Sequence, residues 1–307
     1  MSKLTTRQIL ALAFLLEAIL ALIVLRQRAV QVELGVSEQC IADTPLIHLP
    51  LSVTSRNLRK PVTHFQELPL FTYALPSLVA SAEPRHFRYA VAVAADEGDP
   101  WYDNASVRVD MQAWWRAEWQ RTWPTFGYCT PALTFFAYAN TRSRNTWAVN
   151  YATQRGYEEG ADYFYRINDD TVLYPNQWSS VFVAELAAMR PIPGLGVTGP
   201  ADPFLKNELL THSFISRRHV DWYGTHFPFV LGNWWSDNWI QLVYSAPYPE
   251  AVFGKNARLM SIVANVSVKH MVLKSRYDIK ASQDQFQRQL AIDRKELEVF
   301  VKRNRGA

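Results

Sequence analysis

Residues 87–95 form a short apolar run interrupted only by Arg88, and residues 133–139 form a second, interrupted only by Thr134. Short runs without alternation suit strands buried on both faces. Between them, Met111, Trp114, Trp115 and Trp119 recur at helical spacing within 107–123, and Pro124 stops that segment. A further helical segment, 147–159, is closed by Gly160. The strand-like stretch 161–167 comes next, then a helix from Trp178 to about 189. A glycine-rich strand and turn follow at 194–200, and 278–303 reads as a closing helix. Strands alternating with helices predict an α/β, Rossmann-like fold, with a mostly parallel central sheet flanked by helices.

The N-terminal third has a different pattern. Residues 9–25 are apolar apart from Glu17. Seventeen residues is the short end of what spans a bilayer. Lys3 and Arg7 precede the run, and Leu25-Arg26-Gln27-Arg28 ends it with a poor cleavage site. The expectation is an uncleaved transmembrane signal anchor, with an amphipathic N-terminal helix as the competing reading. Residues 26–85 hold Pro45, Pro50, Pro61, Pro69, Pro76 and Pro84 without sustained periodicity, which reads as a stem or an irregular wrap. The expected organisation is therefore a cytosolic tail over 1–8, an anchor over 9–25, a stem over 26–85 and a globular domain over 86–307. Sequons at Asn104-Ala105-Ser106 and Asn265-Val266-Ser267 fit a lumenal body. Together these predict a single-pass type II protein of the Golgi or ER membrane.

Composition changes this picture only in places. Of 307 residues, 49% are hydrophobic, enough for a packed core. A net charge of +4 with no concentrated basic face argues against a nucleic-acid partner. Two cysteines, Cys40 and Cys129, exclude a cysteine metal site. The 11 tryptophans cluster within 101–123 and 222–239, where they serve as core or as flat platforms for sugars.

The candidate chemistry begins at Asn168-Asp169-Asp170-Thr171, directly after a hydrophobic strand. Adjacent carboxylates repel, and a divalent cation with oxygen ligands, Mg²⁺ or Mn²⁺, relieves the repulsion. Asp237 lies between Trp235 and Trp239, an apolar setting that raises a carboxylate's pKa and makes it a usable base. The competing role there is capping, with Ser236 or Asp237 opening a helix over 238–244. His212 and His219 read as structural. Lys206, Arg217 and Arg218 are cations available to phosphates.

Four stretches, in order, resemble a known family. They are Gly160-Ala161-Asp162-Tyr163-Phe164-Tyr165-Arg166-Ile167-Asn168-Asp169-Asp170-Thr171, Gly196-Val197-Thr198-Gly199-Pro200-Ala201-Asp202, Thr211-His212-Ser213-Phe214-Ile215, and Asn233-Trp234-Trp235-Ser236-Asp237-Asn238-Trp239. Together they resemble the GT-A nucleotide-sugar glycosyltransferases over roughly 87–277. The departure is Asn168, where many members carry the first Asp.

The resemblance implies a GT-A catalytic domain over 86–307. It would use Mn²⁺ or Mg²⁺, with a nucleotide-diphosphate sugar as donor and a glycan, protein or lipid as acceptor. It implies metal ligands at Asp170, Asp169 and His270, with Asn168, Asp169, Asp96 and Asp202 toward the donor. Asp237 would face the acceptor hydroxyl, and Trp234 and Trp235 would form the acceptor platform. Two other classes stay open. One is a catalytically silent carbohydrate-binding relative. The other is a metal-dependent phosphohydrolase, which needs further His and Asp ligands that the sequence beside the acid pair does not supply.

Overall fold

The computed structural model describes residues 44–305, apart from 59, 140–143, 175–176, 207, 246 and 272–281, and only the backbone of 127–128. Eight strands form one curled sheet: β1 (Leu46–Val53), β2 (Arg88–Asp96), β3 (Ala132–Tyr138), β4 (Tyr163–Tyr165), β5 (Thr171–Leu173), β6 (Val197–Ala201), β7 (Phe214–Ser216) and β8 (Met260–His270). Their spatial order is β3-β2-β1-β4-β7-β6-β8-β5. The principal helices are α1 (Leu75–Ser81), α2 (Ala105–Thr122), α3 (Asn145–Glu158), α4 (Trp178–Ala187), α5 (Arg217–Tyr223), α6 (Ser236–Val243), α7 (Glu250–Phe253) and α8 (Gln283–Asn304).

The sheet is mixed but mostly parallel, as expected: of the seven strand pairings among the described residues, four are parallel and three are antiparallel. β3, β2, β1 and β4 run parallel, as do β6 and β8. β7 is antiparallel to both β4 and β6, and β5 is antiparallel to β8. β4 contributes only three residues and β7 only three, so neither produces a long hydrophobic signal in the sequence.

β1 is the larger difference. Residues 46–53 fall inside the stretch expected as stem, yet they form an inner strand paired with β2 along its whole length. Residues 45–307 make up one compact unit, so the domain begins about forty residues earlier than the proline pattern suggests. Pro50 sits within β1, but β4 reaches only Ile47 and His48. The segment carrying Pro50 therefore has a flank outside the ladder among the described residues, where a strand tolerates proline.

Packing follows from alternation along β1 and β2. Ile47, Leu49, Leu51 and Val53 face one way with Val91 and Val93, into a core shared with α1, α2 and α4. On the other face Ala92 and Ala94 meet Ala148 and Ala152 of α3, and these small side chains let the helix sit close to the sheet. His48 also points to that side, where its ring occupies the space a Cβ on Gly156 would need. The second large core lies under α5, α6 and α8.

The tryptophans divide between core and surface. Trp115 and Trp119 are fully buried on α2, with their indole N–H groups donating to the carbonyls of Pro131 and Phe126. Most of the first aromatic cluster is thus core.

The segment 9–25, expected as an anchor, and Cys40 lie outside the described residues. Among the described residues no helix is long and apolar enough to cross a membrane, so the expected Golgi or ER membrane placement is withdrawn. The sequon at Asn104 also has a local role. Its Oδ1 caps α2 by accepting from the N–H groups of Ser106 and Val107.

Candidate active site

The parallel strands β1, β2 and β4 end at the same edge, the edge where open α/β sheets bind ligands. Three chain segments leave there. Arg56 follows β1, Asp96 ends β2, and Arg166 to Asp170 follow β4. Asp96 pairs with Arg56 at 3.1 Å, a partner that sequence reasoning missed because it came from the presumed stem.

The acid motif is held from the far side of the sheet. β8 is long enough to pair with β6 through its first half and with β5 through its last three residues. The antiparallel register sets Thr171 opposite His270, and the Met271 N–H bonds the Asp170 carbonyl at 3.0 Å. His270 is therefore delivered to the acid pair by strand register. Asp202 follows the end of β6, which lies beside β8, and so arrives at the same place.

The distances show a single cluster. His270 Nε2 is 3.0 Å from Asp202 Oδ2, and His270 Nδ1 is 3.9 Å from Asp170 Oδ1. Asp169, Asp170 and Asp202 are all buried. Burial alone lowers the pKa of His270, but the facing carboxylates of Asp170 and Asp202 outweigh it, and the net shift is upward. The imidazolium in this position stands in for a cation between two acids.

His212 joins the cluster, contrary to the expectation of a purely structural role. Ligand atoms of Asp202, His212 and His270 all lie within 4.8 Å of one another, so this group is able to hold a metal ion. The hydrogen bonds fix its tautomer. The Thr211 hydroxyl gives its one proton to Asp202 Oδ2 at 3.0 Å, so it can only accept from His212 Nδ1, 2.9 Å away. Burial first, then the charges of His270 and Arg166, push the His212 pKa well below the usual range, so the ring is neutral. Its Nε2 is left as an acceptor and receives the Thr171 hydroxyl at 2.8 Å. The chain Thr171, His212, Thr211, Asp202, His270, Asp170 is one connected network built from β5, the β6 end, the β7 approach and β8.

Asp237 sits on the first turn of α6, where a negative charge suits the helix dipole. It does not cap the helix. The N-cap is Trp235, in a left-handed conformation with φ of 71° and no side-chain cap bond. Arg166 Nη1 lies 3.4 Å from Asp237 Oδ1 and also donates to the Thr211 carbonyl. Burial pushes the Asp237 carboxyl up, while Arg166 and then His270 pull it back. Its side chain still presents about a quarter of its surface (27%) to solvent, so it lies deep but reachable. Trp234 beside it is exposed, whereas Trp235 stacks on Phe286 of α8 at 5.0 Å.

Other expected residues lie elsewhere. Ser216 pairs with Tyr163, at the start of β4, so Arg217 and Arg218 are at the opposite edge from the acid motif. Arg217 there donates to the carbonyls of Tyr157 and Ala161. His219 is buried between the Tyr244 hydroxyl and backbone carbonyls, as a structural histidine should be.

The sequence matches no protein-family model and no curated protein. Among solved structures, the fold is similar to S. aureus TarS, with a TM-score of 0.46 and 10% identity over 81% of this chain and 39% of that one. A structure of S. aureus TarS 1–349 gives a TM-score of 0.43 and 12% identity, over 85% of this chain and 71% of that one. The inositol-1-phosphate CTP transferase from T. maritima gives 0.36 and 9%, over 82% and 96%. The chain thus spans about two fifths of the length of the first of these.

Proposed function

We propose that this chain is a metal-dependent glycosyltransferase of the GT-A kind, moving a sugar from a nucleotide-diphosphate sugar to an acceptor hydroxyl. One observation carries this reading. Asp170, Asp202, His212 and His270 are buried or half-buried in one cluster, and Asp237 is tied by Arg166 to the strand extension that leads into Asp169 and Asp170.

The donor set fits a divalent cation. Ligand atoms around a single octahedral ion are roughly 3–4 Å apart, given bonds of about 2.1 Å. Asp202 Oδ2 meets His270 Nε2 at 3.0 Å, and the ligand atoms of Asp202, His212 and His270 lie within 4.8 Å of one another, which one ion can bridge; Asp170 faces the other ring nitrogen, Nδ1, at 3.9 Å. Mixed carboxylate and imidazole ligation suits Mn²⁺ better than Mg²⁺, which takes oxygen ligands, with substrate oxygens completing the shell. Asp202, His212 and His270 would hold the ion, with Asp170 facing His270 Nδ1, and Asp169 and Asn168 toward the donor. Such an ion supplies charge neutralisation for a diphosphate leaving group. Asp202, expected toward the sugar, belongs with the metal ligands in this reading.

Asp237 acts as the base. Its carboxylate accepts the acceptor's hydroxyl proton while that oxygen attacks the anomeric carbon and the bond from this carbon to the diphosphate oxygen breaks. Elevation of its pKa by burial strengthens it for that task. Asp96, held by Arg56 at the β2 end, is placed for the donor's base or ribose, and exposed Trp234 for an acceptor ring.

A second reading is favoured by the same cluster. Asp202, His212 and His270 are the further ligands that a metal-dependent phosphohydrolase requires. Products separate the two. The full chain is incubated with a panel of nucleotide sugars, Mn²⁺ and simple acceptors. Transfer, or slow release of sugar and intact nucleoside diphosphate, supports the transferase. Release of nucleoside monophosphate and sugar phosphate supports the hydrolase. Absence of both products and of Mn²⁺-dependent nucleotide binding overturns the assignment of a metal site.

A further inference from the structure

Arg166 is the first residue beyond β4 and lies three residues before Asp169. Its backbone N–H bonds the Ser213 carbonyl at 3.0 Å, so its position is fixed by the continuing contact with the β7 segment. Its guanidinium is buried, with 6% of the side chain exposed. A buried guanidinium is costly unless it is paired and hydrogen-bonded. Both conditions are met here, by the Thr211 carbonyl and the Asp237 carboxylate.

We propose that Arg166 is a positioning residue for Asp237: it joins the acid motif to the base across the site and keeps the base aimed. This rests on the reading of Asp237 as the base. The geometry is the argument. Asp237 stands on α6, Arg166 on the strand that leads into Asn168-Asp169-Asp170, and their ion pair spans 71 residues of chain. One rigid strand extension thereby sets the separation between the base and the acid motif. The Thr211 carbonyl holds the guanidinium from the other side, and the Thr211 hydroxyl holds Asp202. Base, guanidinium and metal-binding acid are thus locked through a single threonine.

The charged groups facing Asp237 are Arg166, from the strand after β4, and His270, from the end of β8. Arg166 is the larger opposing influence on a carboxyl that burial pushes upward.

The test reads the coupling without donor, acceptor or metal. In protein carrying ¹³C-carboxyl aspartate, Asp237 is assigned by comparison with Asp237→Asn and titrated. The expected result is an Asp237 midpoint higher by about one pH unit or more in Arg166→Gln. An unchanged midpoint in the folded variant overturns the inference. A second measurement uses the unsubstituted chain, in case Arg166→Gln does not fold. There the ¹⁵N guanidinium signal of Arg166 should titrate with the Asp237 midpoint and lose that titration in Asp237→Asn. A signal indifferent to Asp237 also overturns it. Where transfer activity is found, the acid limb of kcat/KM in Arg166→Gln should move up with the Asp237 midpoint, while the donor KM changes less than twofold. An acid limb that stays put while the NMR midpoint moves refutes the role in catalysis. Because the titrations need no activity, a failed donor panel and a failed coupling are distinct results.

Discussion

His212 has one tautomer open to it, and the cause is a proton count. Thr211 has a single hydroxyl proton and Asp202 takes it, so every later donor in the network is determined. Thr171 is then the donor to His212 Nε2 among the described residues, and both groups are buried. Thr171→Val should therefore cost about 1–3 kcal/mol in urea unfolding, because it strands a buried acceptor. Thr171→Ser should recover most of that. If valine and serine behave alike, the hydrogen bond is not what holds the ring. Gly199 makes a second prediction at this scale. A Cβ there would meet the His212 carbonyl and the Leu210 side chain, so Gly199→Ala must displace the loop that carries His212. The expected outcome is a lower melting temperature together with weaker Mn²⁺ binding by calorimetry. Retention of wild-type Mn²⁺ affinity by the folded variant would separate His212 from the metal site. Asp169, Asp170, His270 and Asp237 were legible as candidates, since each residue type announces chemistry near a strand end or among aromatics. Arg166, Arg56 and His212 were not, because their partners lie 71, 40 and 41 residues away in the chain.

At the scale of elements, α6 carries the base and α8 holds α6 in place. Trp235 stacks on Phe286, the Trp239 indole N–H donates to Asp293 at 2.8 Å, and Arg294 donates to the carbonyl of Leu242 at the helix end. Asp293 also receives Gln289 and Tyr223. Burial raises the pKa of Asp293, so its charge is tolerated and not required. Asp293→Asn keeps an acceptor for Trp239 and should cost less than about 1 kcal/mol. Asp293→Ala leaves a buried indole N–H without its acceptor and should cost about 1–3 kcal/mol. Equal costs in chemical denaturation would refute the strut. The elements themselves were unevenly readable. β2, α2, β3, α3 and α4 lie close to their expected positions, since each is long and strongly patterned. β1 was lost among prolines, because periodicity does not reveal that a proline sits where one flank of a strand has no partner.

At the scale of the whole molecule, buried neutral histidines set the acid limit of stability. His48 and His219 are held at about 4 by burial, against an ordinary value of 6.5, and His212 and His226 are lowered as well. The folded state refuses these protons and the unfolded state accepts them. Stability from these groups is therefore complete above about pH 6.5 and lost as pH falls toward 4. His270 has the opposite sign, contributing most below its unfolded value and losing that contribution as pH rises through its raised folded value. The urea midpoint should fall steadily from pH 7 to pH 5. His219→Gln should flatten that slope by at most about 1.4 kcal/mol per pH unit. A flat profile would show that these imidazoles are protonated in the fold.

The sequence alone determined the class of the fold, the long helices and strands, and an acid pair at a strand end, because these depend on patterns among near neighbours. The tertiary structure decided that residues 46–53 form an inner strand, and that the sheet is mixed. It also decided that Asp202, His212 and His270 gather beside that pair. Those outcomes depend on which short strands pair and in what register. Registers are selected by burial and hydrogen bonding between distant segments, and no local pattern in the chain encodes them.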